Sequence, residues 1–367
     1  MDDIDLIANE PNIITISHRG YIKRTPTGEF RLQGRGGKGL KGMVTREAID
    51  EEDEKDFVET LFSASNHDYL MFFTNTGRVY VERVYQIPEM SRTSKGRSIR
   101  NLLNLRPEEK IATTLRVDAV LDGQDDRTWE QEDKFVLFAT RDGTVKKTAL
   151  ADFKNYRKDG IIAIRIDEGN ELFGVRLTGG DDDICLVTRN GYCVRCNEKT
   201  IRTSGRPSRG VAGIRPRGDD YVIGLAVVVP DDKFLIVSEK GLGKRTPFDD
   251  YPIKGRGGKG VITMKTTERT GKVAGAIVVG EGDDVMLMTT SGQSVRISAA
   301  GISTLGRAAQ GVRLMRLAES EKIQDVAQVV AEETAEEVAD DAASDSATDA
   351  ANEITDTPEE SDPPTES

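Results

Sequence analysis

The sequence predicts an all-β fold, a propeller-like ring of six four-stranded blades. Three observations carry this. Glycine supplies 36 of the 367 residues, above the usual ~7%, which favours tight turns over long helices. Six short apolar runs each end at a turn glycine, at Gly20, Gly77, Gly143, Gly191, Gly241 and Gly292, spaced 57, 66, 48, 50 and 51 residues apart. A second glycine follows each, at Gly39, Gly96, Gly160, Gly210, Gly260 and Gly311, with offsets of 19, 19, 17, 19, 19 and 19. Two anchors held in phase over six copies mark an internal repeat, and a period of about 50 residues means a propeller or a solenoid.

Taken in order, residues 1–12 read as a leader or linker, 13–330 as the repeat domain and 331–367 as a tail. Each copy reads as four strands; in the last they are 285–290, 293–298, 311–317 and 322–330. Asp142-Gly143 and Asn190-Gly191 are hairpin signals, because glycine takes the positive φ such turns need. First strands such as Phe135-Val-Leu-Phe-Ala139 and Val285-Met-Leu-Met288 are apolar on both faces. Burial on both sides suits blades stacked on blades; an open spiral of the same units is the alternative. Two long spacings locate insertions, 47–59 with eight acids and one lysine, and 118–133 with the only tryptophan, Trp129. Both read as surface loops.

The net charge of −12 divides unevenly. Residues 331–367 hold 14 of the 63 acidic residues and none of the 51 basic ones, so 1–330 carry 49 against 51, a net of +2. The tail is rich in Ala, Asp, Glu, Ser and Thr and is expected to be disordered, since it buries too little apolar surface to offset chain entropy. It is either a solvated tail or an acidic competitor for a basic surface on the same molecule.

Composition removes several classes. No run of 18 apolar residues exists, and the acidic start Met1-Asp2-Asp3-Ile4-Asp5 is no secretory signal. Three cysteines point to a reducing cytoplasm. Cys193-x-x-Cys196 has zinc-like spacing without a second pair, so reduced structural thiols are expected and no metal site. Cys185 would face Cys196 across a two-residue turn and would not across a bulged one. Two histidines, His18 and His67, and no paired carboxylate motif leave no catalytic centre to predict.

The repeat does carry cations at fixed offsets. Four residues after the first glycine stand Arg24, Val81, Lys147, Arg195, Arg245 and Arg296. Four before the second stand Arg35, Arg92, Tyr156, Arg206, Arg256 and Arg307, and one before it Lys38, Lys95, Asp159, Arg209, Lys259 and Gln310. The same offset means the same place on each blade, so a ring-shaped basic band is expected. Its natural partner is duplex DNA, with one charge per ~1.7 Å of axis, bound by its backbone without sequence readout and bent. Copies 1 and 5 add Gln33-Gly-Arg35-Gly36-Gly37-Lys38-Gly39 and Lys254-Gly-Arg256-Gly257-Gly258-Lys259-Gly260. Such glycines let backbone N–H groups line one concavity for a phosphate. Neither is a nucleotide P-loop, since glycine follows the lysine.

Gln33-Gly-Arg-Gly-Gly-Lys-Gly39 resembles the gyrase-A box, the signature of the C-terminal domain of the DNA gyrase A subunit, whose pattern is Gln-Arg-Arg-Gly-Gly-Lys-Gly; Gly34 departs from it. Gly20-Tyr-Ile-Lys-Arg-Thr25, Ser91-Arg-Thr-Ser-Lys-Gly96, Gly311-Val-Arg-Leu-Met-Arg316 and the acidic tail are also similar to that family. The resemblance covers about residues 5–330. It implies a six-bladed β-pinwheel, whose neighbouring blades exchange strands and whose outer edge wraps DNA with a positive crossover. It also implies negative supercoiling in an A2B2 complex with the gyrase A N-terminal core and the gyrase B subunit, in the bacterial cytoplasm at the nucleoid. The resemblance assigns cleavage to a tyrosine and ATP and magnesium to other domains, so this chain alone is expected to be no enzyme and to hold no cofactor. Box contacts would come from Gln33, Arg35, Gly36, Gly37, Lys38 and Gly39, and from Arg256, Gly257, Gly258, Lys259 and Gly260. A supporting rim would come from Arg24, Arg92, Lys95, Lys147, Arg195, Arg206, Arg209, Arg245, Arg296 and Arg307. The alternatives are the C-terminal domain of topoisomerase IV, guiding the choice of DNA segment, and a propeller scaffold for a protein partner.

Overall fold

The computed structural model describes residues 3–27, 29, 56–119, 127–291 and 293–329. The first box, most of the 47–59 insertion, half of the 118–133 insertion and the tail lie outside the described residues.

Six antiparallel sheets follow one another along the chain. In the first, Pro11–Ser17 pairs with Tyr21–Pro26 across a hairpin and with Val58–Ser65 on its other side. The sheet's remaining strand, Arg97–Ser98, comes from the second repeat. The same exchange places Ile161–Ile162, Val211–Ala212, Val261–Ile262 and Val312–Arg313 on the second to fifth sheets. The third strand expected over 311–317 is thus two residues long and belongs to the preceding sheet. The loop before each short strand already lies along that neighbour, through bridges such as Arg195 to Ile253 and Arg245 to Thr304, so the chain arrives on the wrong side to pair with its own hairpin. Among the described residues the sixth sheet has three strands, Asp284–Thr289, Ser294–Ser298 and Ile323–Val329.

Burial on both faces is what the apolar first strands require. In Tyr69–Thr74, Met71 and Phe73 enter the core shared with the third sheet, while Leu70 and Phe72 enter the core shared with the first. Five such apolar cores join consecutive sheets from the first to the sixth. Ile323–Val329 also packs against Val58–Ser65, which closes the circuit. That seam is polar. His18 Nδ1 lies 3.0 Å from Glu59 and Nε2 3.6 Å from Asp325, and the ring stacks on Phe57.

Two expectations change at the edges of the repeat. The leader is tied down, with Asn66 Nδ2 donating to Ala8 O and the His67 amide to Asn9 Oδ1. The end of the 118–133 insertion is not a free surface loop. Its turn Thr128–Glu130 buries Trp129 against Tyr69 and Tyr156, because Tyr156 stands where other repeats carry arginine.

Candidate nucleic-acid interface

Among the described residues, the loops that end at Gly96, Gly160, Gly210, Gly260 and Gly311 are each laid over the preceding blade. In the fifth repeat the Lys254 amide donates to Arg195 O at 2.9 Å and the Gly257 amide to Gly213 O at 2.6 Å, while the Arg215 amide donates to Gly258 O at 2.9 Å. The loop therefore bridges the third and fourth sheets. Its arginine is a staple as well as a charge: Arg256 donates to Thr200 O and Ala212 O at 2.8 and 3.1 Å. Arg206 and Arg307 do the same to Ile162 O and Ile262 O, at 2.8 and 2.7 Å. Each reaches the second residue of the preceding repeat's short strand. Lys259 lies 4.3 Å from the Tyr192 ring centroid, and Lys95 in the same register lies 4.4 Å from that of Tyr21. Arg209 is 59% exposed and sits 2.8 Å from Asp167.

The cations four residues after the first glycine are placed differently. They were expected on the rim, and four of them are nearly buried instead. Arg24 meets Ile87 O and Glu89, Lys147 donates to Glu198 O, and Arg195 pairs with Asp183 and donates to Phe248 O. Arg245 donates to Ile302 O at 2.8 Å and pairs with Glu281 at 2.9 Å. Each anchors the single-turn helix of the next repeat, which covers that stretch of strand. Arg296, bonded to Asp284, stays half exposed. Three of the four exceptions, Val81, Tyr156 and Asp159, come from two repeats, yet strand exchange gathers them on the second sheet, where the band of register cations is interrupted; the fourth, Gln310, belongs to the sixth repeat.

The DNA gyrase C-terminal domain, beta-propeller, family matches residues 11–63, 68–118, 134–178, 182–228, 232–280 and 283–329, one segment per sheet. The chain belongs to this family. Among curated relatives, the DNA gyrase A protein of Staphylococcus aureus (strain NCTC 8325 / PS 47) is 43% identical over 331 residues, which are 90% of this chain and 36% of the relative. Its counterpart in Staphylococcus aureus (strain Mu50 / ATCC 700699) is also 43% identical over 331 residues. This chain therefore spans about a third of the length of those relatives. A solved DNA gyrase A C-terminal domain is 25% identical with a TM-score of 0.62, over 88% of this chain and all of that one. The C-terminal domain of DNA topoisomerase IV shares the fold, with a TM-score of 0.77 at 23% identity, over 92% of this chain and 99% of that one.

In this gyrase-type propeller two register positions escaped the sequence reading. Five residues after the second glycine, Arg165, Arg215, Lys265 and Arg316 are all exposed, and the Arg165 and Arg215 amides bond the next repeat's loop. Three residues after the first glycine, Lys23, Lys146 and Lys244 are buried, and burial pushes their amines down to about 8, 7 and 8. A count of basic residues at every offset would have found both sets. The thiols are structural. Cys185 faces Arg195, and Ile184 faces Cys196, so the bulged turn holds. All three are free and buried, and burial pushes Cys193 up and Cys196 to about 11. No His, Cys, Asp and Glu group among the described residues has metal-binding geometry, and no described helix is long and apolar enough to cross a membrane.

Proposed function

We propose that this domain binds duplex DNA through its phosphates along the outer edge, bends it and wraps it with positive sense, in support of ATP-dependent negative supercoiling by DNA gyrase. The observation that carries this reading is the in-register set of cations on the edge loops. Arg209, Arg256, Lys259, Arg215 and Lys265 recur at fixed offsets around the edge, beside a glycine loop whose backbone approaches closely. A repeated charge on a repeated unit matches a polyanion of regular spacing, and contacts to phosphate position a duplex without reading it. Cleavage and ATP turnover would come from the gyrase A N-terminal core and the gyrase B protein in an A2B2 complex in the cytoplasm. This chain would need no cofactor, while ATP and magnesium would serve those other domains.

Nicked-circle ligation in the presence of the chain, followed by deproteinisation and topoisomer counting, tests the reading. A positive linking shift that grows with protein supports it. Tight, salt-sensitive binding without a shift would refute wrapping and favour guidance of DNA segments, the alternative on the topoisomerase IV side. If roughly 6–10 phosphates are engaged, affinity falls ~10³–10⁵-fold between 50 and 200 mM salt.

A further inference from the structure

We propose that Lys23, Lys146 and Lys244 are positioning residues that hold, through main-chain carbonyls, the loops presenting the basic residues of the second, fourth and sixth repeats. The inference rests on the DNA-binding reading above and adds the part of the interior that shapes the contacts.

The three occupy one register position in the first, third and fifth repeats. Lys23 Nζ donates to Ser91 O, Arg92 O and Ser94 O at 3.1, 2.5 and 2.9 Å. Lys146 donates to Ala163 O and Arg206 O, both at 2.5 Å. Lys244 donates to Gly306 O at 2.8 Å and to Arg307 O. In every case one acceptor is the carbonyl of the arginine four residues before the second glycine. A carbonyl bonded to a buried amine points into the protein, so the loop turns its oxygens away from an approaching phosphate. Packing alone does not require lysine here. The same position is Tyr80 in the second repeat and Val194 in the fourth, both buried. Burying an amine is costly unless its donors are met, and here main-chain carbonyls meet three donors of Lys23 and two each of Lys146 and Lys244.

The alternation extends to the loops. The fifth repeat's Gly255-Arg-Gly-Gly-Lys-Gly260 lies over Val194; it takes a bond from the Arg215 amide, as the fourth repeat's loop takes one from the Arg165 amide, and adds a bond of its own from the Gly257 amide to Gly213 O. Loops over lysine lack the paired glycines; they read Arg92-Thr-Ser-Lys95, Arg206-Pro-Ser-Arg209 and Arg307-Ala-Ala-Gln310. The glycine loop and the lysine clamp are two solutions to one problem.

A double-mutant cycle on the full chain tests this, with Lys146→Met, Arg209→Met and the pair. The readout is the slope of log affinity for a short linear duplex against log salt. Arg209→Met should lower the slope by about 0.9, the value of one phosphate. Lys146→Met should lower it by a similar amount, and the pair by no more than either single variant. An unchanged slope for Lys146→Met, with or without lost stability, overturns the proposal and makes the lysine merely structural. Additive losses also overturn it, since the lysine would then act through its own charge. Absence of salt-dependent binding by the unaltered chain would instead sink the DNA-binding reading. Should Lys146→Met fail to fold, the cycle at Lys244 and Arg307 decides by the same criteria.

Discussion

Replacing Gly260 by alanine should release Val261–Ile262 from the fourth sheet. Gly260 has φ +88°, and an added Cβ would lie 2.5 Å from Cys193 O and 2.7 Å from its carbonyl carbon. Both atoms are backbone of the strand that receives the exchanged segment, so neither can swing aside. The left-handed conformation costs a side chain ~1–2 kcal/mol and forced overpacking ~1–3 kcal/mol, together about 2–5 kcal/mol. The short strand contributes only two paired residues, Ile262 with Tyr192 and Val261 with Cys193, and is expected to detach before the sheet breaks. Gly255 provides the control five residues away, since a Cβ there meets nothing within 4 Å. Gly255→Ala should therefore stay within ~0.5 kcal/mol of the parent. Guanidinium denaturation gives the global difference, and hydrogen exchange of the short-strand amides reports detachment directly. Equal stability and equal exchange for the two variants would refute the claim that close backbone approach is why glycine recurs at this position.

Two further outcomes follow from the interior and the seam. Arg245→Met removes the donors to Ile302 O and Ala300 O and should cost about 1–3 kcal/mol in denaturation, with no change in the salt slope of DNA binding; a changed slope at parental stability would place this arginine on the interface after all. His18 is raised above its ordinary value, chiefly by its hydrogen bond to Glu59. The folded state then binds more protons than the unfolded one, so the stabilisation is complete below pH ~6.5 and is lost as pH rises through the folded value. Thermal midpoints should fall more steeply between pH 6 and 8 for the parent than for His18→Gln, and parallel profiles would count against a titrating seam.

The edge loops were legible in sequence because chemistry recurs there at constant spacing. Arg256, Lys259 and Arg209 recur in register and are exposed. Arg24, Lys147, Arg195 and Arg245 share an equally regular register and are nearly buried, because periodicity reports equivalence of position and not depth. Their depth is set by a turn contributed from the next repeat, some 50 residues on. The buried lysines were missed for the same reason: a lysine on a strand reads as exposed until the carbonyls of a distant loop are brought to it. The interruption of the band at the second sheet is likewise invisible in any one repeat, since Val81 and Tyr156 meet only through strand exchange.

By itself the sequence determined the number of repeats, the all-β class, the hairpin glycines, the double-sided burial of the first strands and the offsets at which charge recurs. These are local or periodic properties, written in residue type and spacing. Tertiary structure alone decided which sheet each short strand joins, that the circuit closes through a polar seam at His18, and which basic residues face solvent. Those depend on contacts between repeats, where main-chain carbonyls from one copy satisfy the buried cations of another.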